Sequence, residues 1–170
     1  LTANQAKVFR TIGGRRRAIV SGGAGTGKTL LAAQRARTLA ETGLKVLLVC
    51  YNRPLADPLA LGMGGVAGLT VMGYHQFCEA MIRQAKALGS DVLGEAQEAY
   101  PSDSAQQEFD MQYPVALALA AEVVPQRFDA VLVDEAQDFG DEYWLGLELL
   151  LRDPVSSYFY VFIDENQRLY

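Results

Sequence analysis

The sequence predicts an α/β domain, a parallel sheet with helices on both faces, on three observations. The first is Gly22-Gly23-Ala24-Gly25-Thr26-Gly27-Lys28-Thr29, which fills every fixed position of the pattern G-x-x-x-x-G-K-[ST]. The second is a set of short, near-continuous apolar runs, the signature of strands covered on both faces. The third is that stretches with helical spacing separate those runs, as a doubly wound sheet requires.

Each element has its own reason. Ala18–Ser21 is a short apolar run leading into the glycine loop, and Leu30–Ala36 after the loop is rich in good helix formers. Strand, glycine loop and helix form the setting in which this motif binds phosphate. The glycines let successive N–H groups point inward, and the helix N-terminus adds partial positive charge. Lys28 would reach the β- and γ-phosphates, and the Thr29 hydroxyl would ligate Mg²⁺. Further strands are expected at Lys45–Tyr51, Leu69–Met72, Phe128–Val133 and Tyr158–Ile163. Helices are expected at Thr29–Glu41, stopped by Thr42-Gly43, and at His75–Leu88, stopped by Gly89. Pro114–Val124 starts on a proline suited to a first helical turn, and Asp141–Arg152 closes before Pro154. The strand Tyr158–Ile163 is expected to form an uncovered sheet edge.

The stretch Ser90–Tyr113 is acidic and poor in large aliphatics. With the helix that follows, it predicts a peripheral helical insertion over about residues 90–125. Ser104 with Gln107 three positions on reads as a capping box.

Composition narrows the function classes. The 170 residues fit a single domain. No apolar run reaches the roughly eighteen residues of a membrane span, and no signal peptide is visible. The net charge of −5 gives no global basic field for nucleic acid. Arg15-Arg16-Arg17, the densest basic run, reads as a solvated loop. Cys50 and Cys78 lack metal-ligand spacing and fit two buried thiols in a reducing cytoplasm. With His75 the sole histidine, a multi-histidine metal site is excluded.

Val131-Leu132-Val133-Asp134-Glu135 is an apolar strand ending in two acids. A magnesium-dependent NTPase places such a pair opposite its phosphate loop. Asp134 would hold Mg²⁺, and Glu135 would orient or deprotonate the attacking water.

The wider run Asp134-Glu135-Ala136-Gln137-Asp138 resembles the D-E-x-Q-D motif of superfamily 1 DNA helicases of the UvrD/Rep type. Other marks fall in order. Leu1-Thr2-Ala3-Asn4-Gln5 is similar to the short N-terminal motif whose glutamine, here Gln5, pairs with the N6 and N7 edge of adenine. Val49–Ala56 stands where that family contacts single-stranded DNA. Gly73-Tyr74-His75-Gln76-Phe77-Cys78 resembles the element that follows. Asp164-Glu165-Asn166-Gln167 resembles the third motif, whose glutamine senses the γ-phosphate. The resemblance, closest to UvrD-like helicases found beside a nuclease-related domain, spans the chain outside roughly residues 90–125.

It implies a P-loop NTPase with a RecA-like sheet, binding ATP and Mg²⁺ through residues Gln5, Gly22 to Thr29, Asp134 and Gln137. It implies catalytic roles for Lys28, Glu135 and Gln167, and DNA contacts from Asn52, Arg53, Tyr74 and His75. Phe77 reads as packing. The implied partners are single-stranded or partly duplex DNA and a second RecA-like domain supplying arginines to the transition state. On that reading the chain is the first motor domain of a longer enzyme, active alone only poorly. Two positions depart from the pattern: Ile163 replaces the glycine before Asp164, and Tyr51-Asn52-Arg53 replaces a T-F-T-N type of sequence. A nucleotide-gated switch without translocation is the competing reading, and a small-molecule kinase a more distant one.

Overall fold

The computed structural model describes residues 2–51 and 53–165, and the side chains of all of these except Arg53 and Leu55. The strands are β1 (Arg17–Gly22), β2 (Val46–Cys50), β3 (Leu69–Gly73), β4 (Ala130–Asp134) and β5 (Tyr158–Asp164). They form one sheet in the order β1-β5-β4-β2-β3, and every pairing is parallel. The expected parallel α/β class is observed.

The apolar runs explain the three layers. Successive strand side chains point to opposite faces. Leu47, Val49, Val131, Val133 and Phe159 therefore enter one core, and Val46, Leu48, Ala130, Leu132 and Tyr160 the other. The first core is closed by α4 (Tyr74–Ala87), α5 (Val92–Ala99), α7 (Tyr113–Val123) and α8 (Glu142–Leu149). The second is closed by α1 (Ala3–Gly13), α2 (Lys28–Glu41) and α3 (Arg53–Gly62). A strand buried on both sides has no polar face to show, which is why β2 and β4 are apolar throughout until Asp134.

Three expectations change. The edge strands are β1 and β3, not β5, which lies hydrogen-bonded between β1 and β4. The segment 90–125 is helical, but not peripheral throughout. In α7, Ala116, Leu117 and Ala120 are fully buried, so α7 is a core helix. The peripheral part is α5, the short α6 (Ala105–Gln107) capped by Ser104, and a five-residue wide turn at Glu108–Gln112. Arg16 and Arg17 are not simply solvated. Arg16 covers the Tyr158 ring at 4.4 Å, and Arg17 covers Phe159 while pairing with Glu148 at 3.4 Å.

The contact of α7 with α8 depends on Gly146. A Cβ there would lie 2.8 Å from Leu117 Cγ and 3.2 Å from the Ala118 amide nitrogen. Neither neighbour can retreat, since Leu117 is wedged in the core and Ala118 N is backbone. Gly146→Val is therefore expected to destabilise the fold by about 1–3 kcal/mol through overpacking, despite its better helix propensity. The check is the denaturant midpoint of the variant against the parent.

Candidate nucleotide site

In open α/β sheets, ligands bind beyond the carboxyl ends of the strands, and here four such ends carry the predicted residues. Gly22 closes β1 and opens the phosphate loop, and it pairs in register with Asp164 at the end of β5. Cys50, at the end of β2, pairs with Asp134 at the end of β4. Parallel register thus gathers the loop and the acids at one rim.

The loop takes its shape from Gly25 and Gly27, whose φ angles of 75° and 80° suit only glycine without strain. Gly27 has a second constraint: a Cβ there would collide with the Gln5 amide. Lys28 Nζ donates to the carbonyls of Gly22 and Gly23, each at 2.7 Å. The ammonium therefore lies under the loop, at the mouth of α2. Gly23 and Ala24 lie within this loop, and the Thr26 hydroxyl donates to Gly23 O at 2.8 Å. Gln5 stands beside the loop. Its Nε2 donates to Thr26 O at 2.8 Å, and its Oε1 accepts from Thr2 N at 2.8 Å. The second bond is half of a capping box that starts α1. The sequence pattern thus hid a structural use of Gln5.

The acids lie opposite. Asp134 is buried, and among the described residues its Oδ2 has no hydrogen-bond partner. Burial raises its pKa above the usual carboxylate range; the Thr29 hydroxyl and the Lys28 charge oppose that, while Glu135 adds to it. A buried, unsatisfied carboxylate oxygen beside a threonine hydroxyl fits the hard-oxygen chemistry of Mg²⁺, which takes few protein ligands and completes its shell with phosphate and water. Glu135 has φ 55° and ψ 40°, the lone positive φ among described residues other than glycine. Such strain persists where surrounding structure over-determines it, often at functional sites. Gln137 donates through Nε2 to Glu135 Oε2 and accepts at Oε1 from Asp164 N at 3.0 Å. Ile163 sits in regular strand, paired with Ser21, so the missing glycine does not break β5 before Asp164.

A second cleft of about 430 Å³ opens beside the ends of β2 and β3, lined by Tyr51, His75, Gln76, Glu79, Gln106 and Phe109. His75 is half-buried. Its Nε2 lies 3.1 Å from Phe109 O and 3.4 Å from the Tyr143 hydroxyl. Burial lowers its pKa, against the Phe109 carbonyl, Asp110 and Glu79, so the ring is neutral near pH 7. Tyr74 is a correction. It is fully buried and stacked on Tyr143 with ring centroids 4.5 Å apart, so it offers no surface to a nucleic-acid strand. Its position at the first turn of α4 turns it into the core. Phe77 is buried as expected. Sequence reading missed Tyr51 and Phe109 as cleft-lining rings; the aromatic beside Asn52 was the available signal for the first. Arg53 begins α3, with its side chain outside the described atoms, and Asn52 and Gln167 lie outside the described residues.

Cys50 is buried behind Asp134 and Glu135, and burial with those charges pushes its thiol up to about 12. It stays protonated and offers no thiolate to a metal. Both cysteines are free and buried. Among the described residues, no helix is long and apolar enough to cross a membrane.

Comparison with known proteins agrees with this geometry. A family model described as an AAA domain matches residues 5–170. No curated protein matches the chain. With the match running through the phosphate loop, both acids and nearly the full chain, the protein belongs to the AAA domain family and is a P-loop nucleotide-binding domain.

Proposed function

We propose that this domain hydrolyses ATP with Mg²⁺ as the first motor domain of a superfamily 1 DNA helicase or translocase. The observation that carries the proposal is the convergence of three features at one sheet rim. They are a complete phosphate loop, a buried and unpartnered Asp134 oxygen, and Glu135 held in a strained backbone conformation. A pure binding module needs the first of these but has no use for the third.

In this reading the backbone N–H groups of Gly23 to Thr29 bind the phosphates, and Lys28 exchanges its two carbonyl partners for phosphate oxygens. Thr29 and Asp134 hold the metal, which when bound supplies charge neutralisation at the phosphates. Glu135 orients the attacking water and takes its proton. Gln5 reads adenine, and Gln167 senses the γ-phosphate. DNA lies along the cleft at Tyr51 and His75, with Asn52 and Arg53 at phosphates. Rings and amides there suit base stacking and edge contacts. A second RecA-like domain and a nuclease-related domain complete the enzyme.

One observation favours the alternative, a nucleotide-gated switch. The cleft contains Glu79, and among the described residues no lysine or arginine lines it. The test is ATP turnover by the full-length protein with and without single-stranded DNA, and with RNA in parallel. Stimulation on the order of tenfold by DNA is expected, lost in Lys28→Ala and Glu135→Gln. Turnover indifferent to both nucleic acids would establish the switch instead.

A further inference from the structure

We propose that Gln137, expected from the sequence to bind nucleotide, is instead a positioning residue for Glu135, clasping the water-orienting carboxylate to the end of β5. The inference rests on the hydrolytic reading above. Its geometry is a chain of four groups across three strands. Gly22 opens the phosphate loop and pairs in register with Asp164. The Asp164 N–H donates to Gln137 Oε1 at 3.0 Å, and Gln137 Nε2 donates to Glu135 Oε2.

The amide is held one way round. Its carbonyl oxygen faces a backbone N–H, so its NH₂ must face the carboxylate. A flip would set oxygen against carboxylate at one end and N–H against N–H at the other. The side chain therefore presents Glu135 with a fixed donor, and Glu135 meets it from a left-handed backbone conformation at φ 55°. The support is itself rigid. Gln137 sits in the single turn Ala136–Asp138, with Ala136 buried beneath it. Asp164 is buried at the end of a strand hydrogen-bonded on both sides. A shift of the β5 terminus would thus be transmitted to the Glu135 carboxylate through one amide. The same amide links Glu135 to the strand beside the phosphate loop, so loop and carboxylate share a common reference.

Two variants separate this role from others. Gln137→Met matches the side chain in length and loses the bonds to Glu135 and to Asp164 N–H. Gln137→Glu keeps an acceptor for Asp164 N–H and loses the donor to Glu135. In the full-length protein, both are expected to lower kcat by roughly 10–100-fold, a part of what a positioned base supplies. KM for ATP and the dissociation constants for ATP and ADP should stay within about twofold. In a Glu135→Gln background, Gln137→Met should lower kcat no further, because the residue acts through the carboxylate already removed.

Unchanged kcat in the single variants would overturn the proposal. So would effects of Gln137→Met and Glu135→Gln that multiply independently. Weakened ATP binding with ADP binding intact would overturn it too, by making Gln137 a direct γ-phosphate contact. Should Gln137→Met fail to fold, Gln137→Glu still isolates the donor. A wild-type protein with no ATP turnover at all would instead remove the hydrolytic reading on which the inference stands.

Discussion

Replacing Lys28 by alanine is expected to lower ATP turnover by about 10²–10³-fold, the usual loss when one preorganised charge on a transferring group is removed. In this loop Nζ is bonded to Gly22 O and Gly23 O. Two carbonyl oxygens pointing at one ammonium are a poor final state for the loop, since neither carries a full charge. A phosphate oxygen is a better partner, and charge-assisted bonds are about twice as strong as neutral ones. The exchange favours nucleotide, and Lys28→Ala removes it. The variant also leaves both carbonyls without that donor, a modest cost for a part-exposed loop, on the order of 1 kcal/mol. Two readouts separate these effects. Turnover should collapse, while the apoprotein melts within a few degrees of the parent. Loss of the thermal upshift normally given by Mg-nucleotide should accompany the lost turnover. Near-normal turnover in Lys28→Ala would sink the assignment of this loop as the hydrolytic phosphate site.

The phosphate loop was legible because its chemistry is local. Glycines, lysine and threonine act within eight consecutive residues, and the strand and helix on each side lie next to them in sequence. The strands were legible because double-sided burial leaves an unbroken apolar run. Strand order was not, since nothing in Tyr158–Ile163 tells whether β1 or solvent lies beside it. The open edge was accordingly expected at β5 and is found at β1 and β3. Helix α3 went unrecognised because Pro54 and Pro58 argue against a helix, and Pro58 is tolerated within it. Helix α1 was hidden behind the motif reading of its first residues, although Thr2 and Gln5 form its capping box. Tyr74 misled for a related reason. An aromatic at the junction of a strand and a helix can face either the cleft or the core, and sequence spacing alone does not choose. The bond from Asp164 N–H to Gln137 Oε1 joins residues far apart in sequence, so only the parallel register of β4 and β5 brings it into view.

Asp134→Asn is expected to do two opposite things: abolish Mg-dependent hydrolysis and stabilise the nucleotide-free domain. The second follows from burial. The carboxylate is 1% exposed with one oxygen unpartnered, and burial raises its pKa above the usual value. A carboxyl group with a raised folded-state pKa binds its proton more tightly in the folded protein than in the unfolded one. Its stabilising contribution is therefore present at low pH and is lost as pH rises through the raised folded value. At neutral pH the apoprotein carries a net cost that Thr29 and Lys28 offset only in part, and an uncharged amide of the same shape removes it. A gain on the order of 1 kcal/mol would raise the melting temperature by about 2–4 °C for a chain of this size. Bound metal reverses the preference by favouring the charged form, so Mg-nucleotide should stabilise the parent and leave Asp134→Asn almost unmoved. Melting curves at several pH values, with and without Mg-nucleotide, test both halves together. The parent and variant curves should converge as pH falls and the parent carboxylate takes up its proton. An Asn variant that melts lower than the parent without nucleotide would mean that Lys28 and Thr29 already compensate the buried charge. Function and stability then pull in the same direction at this residue, and the unpartnered oxygen loses its meaning as the mark of a metal site.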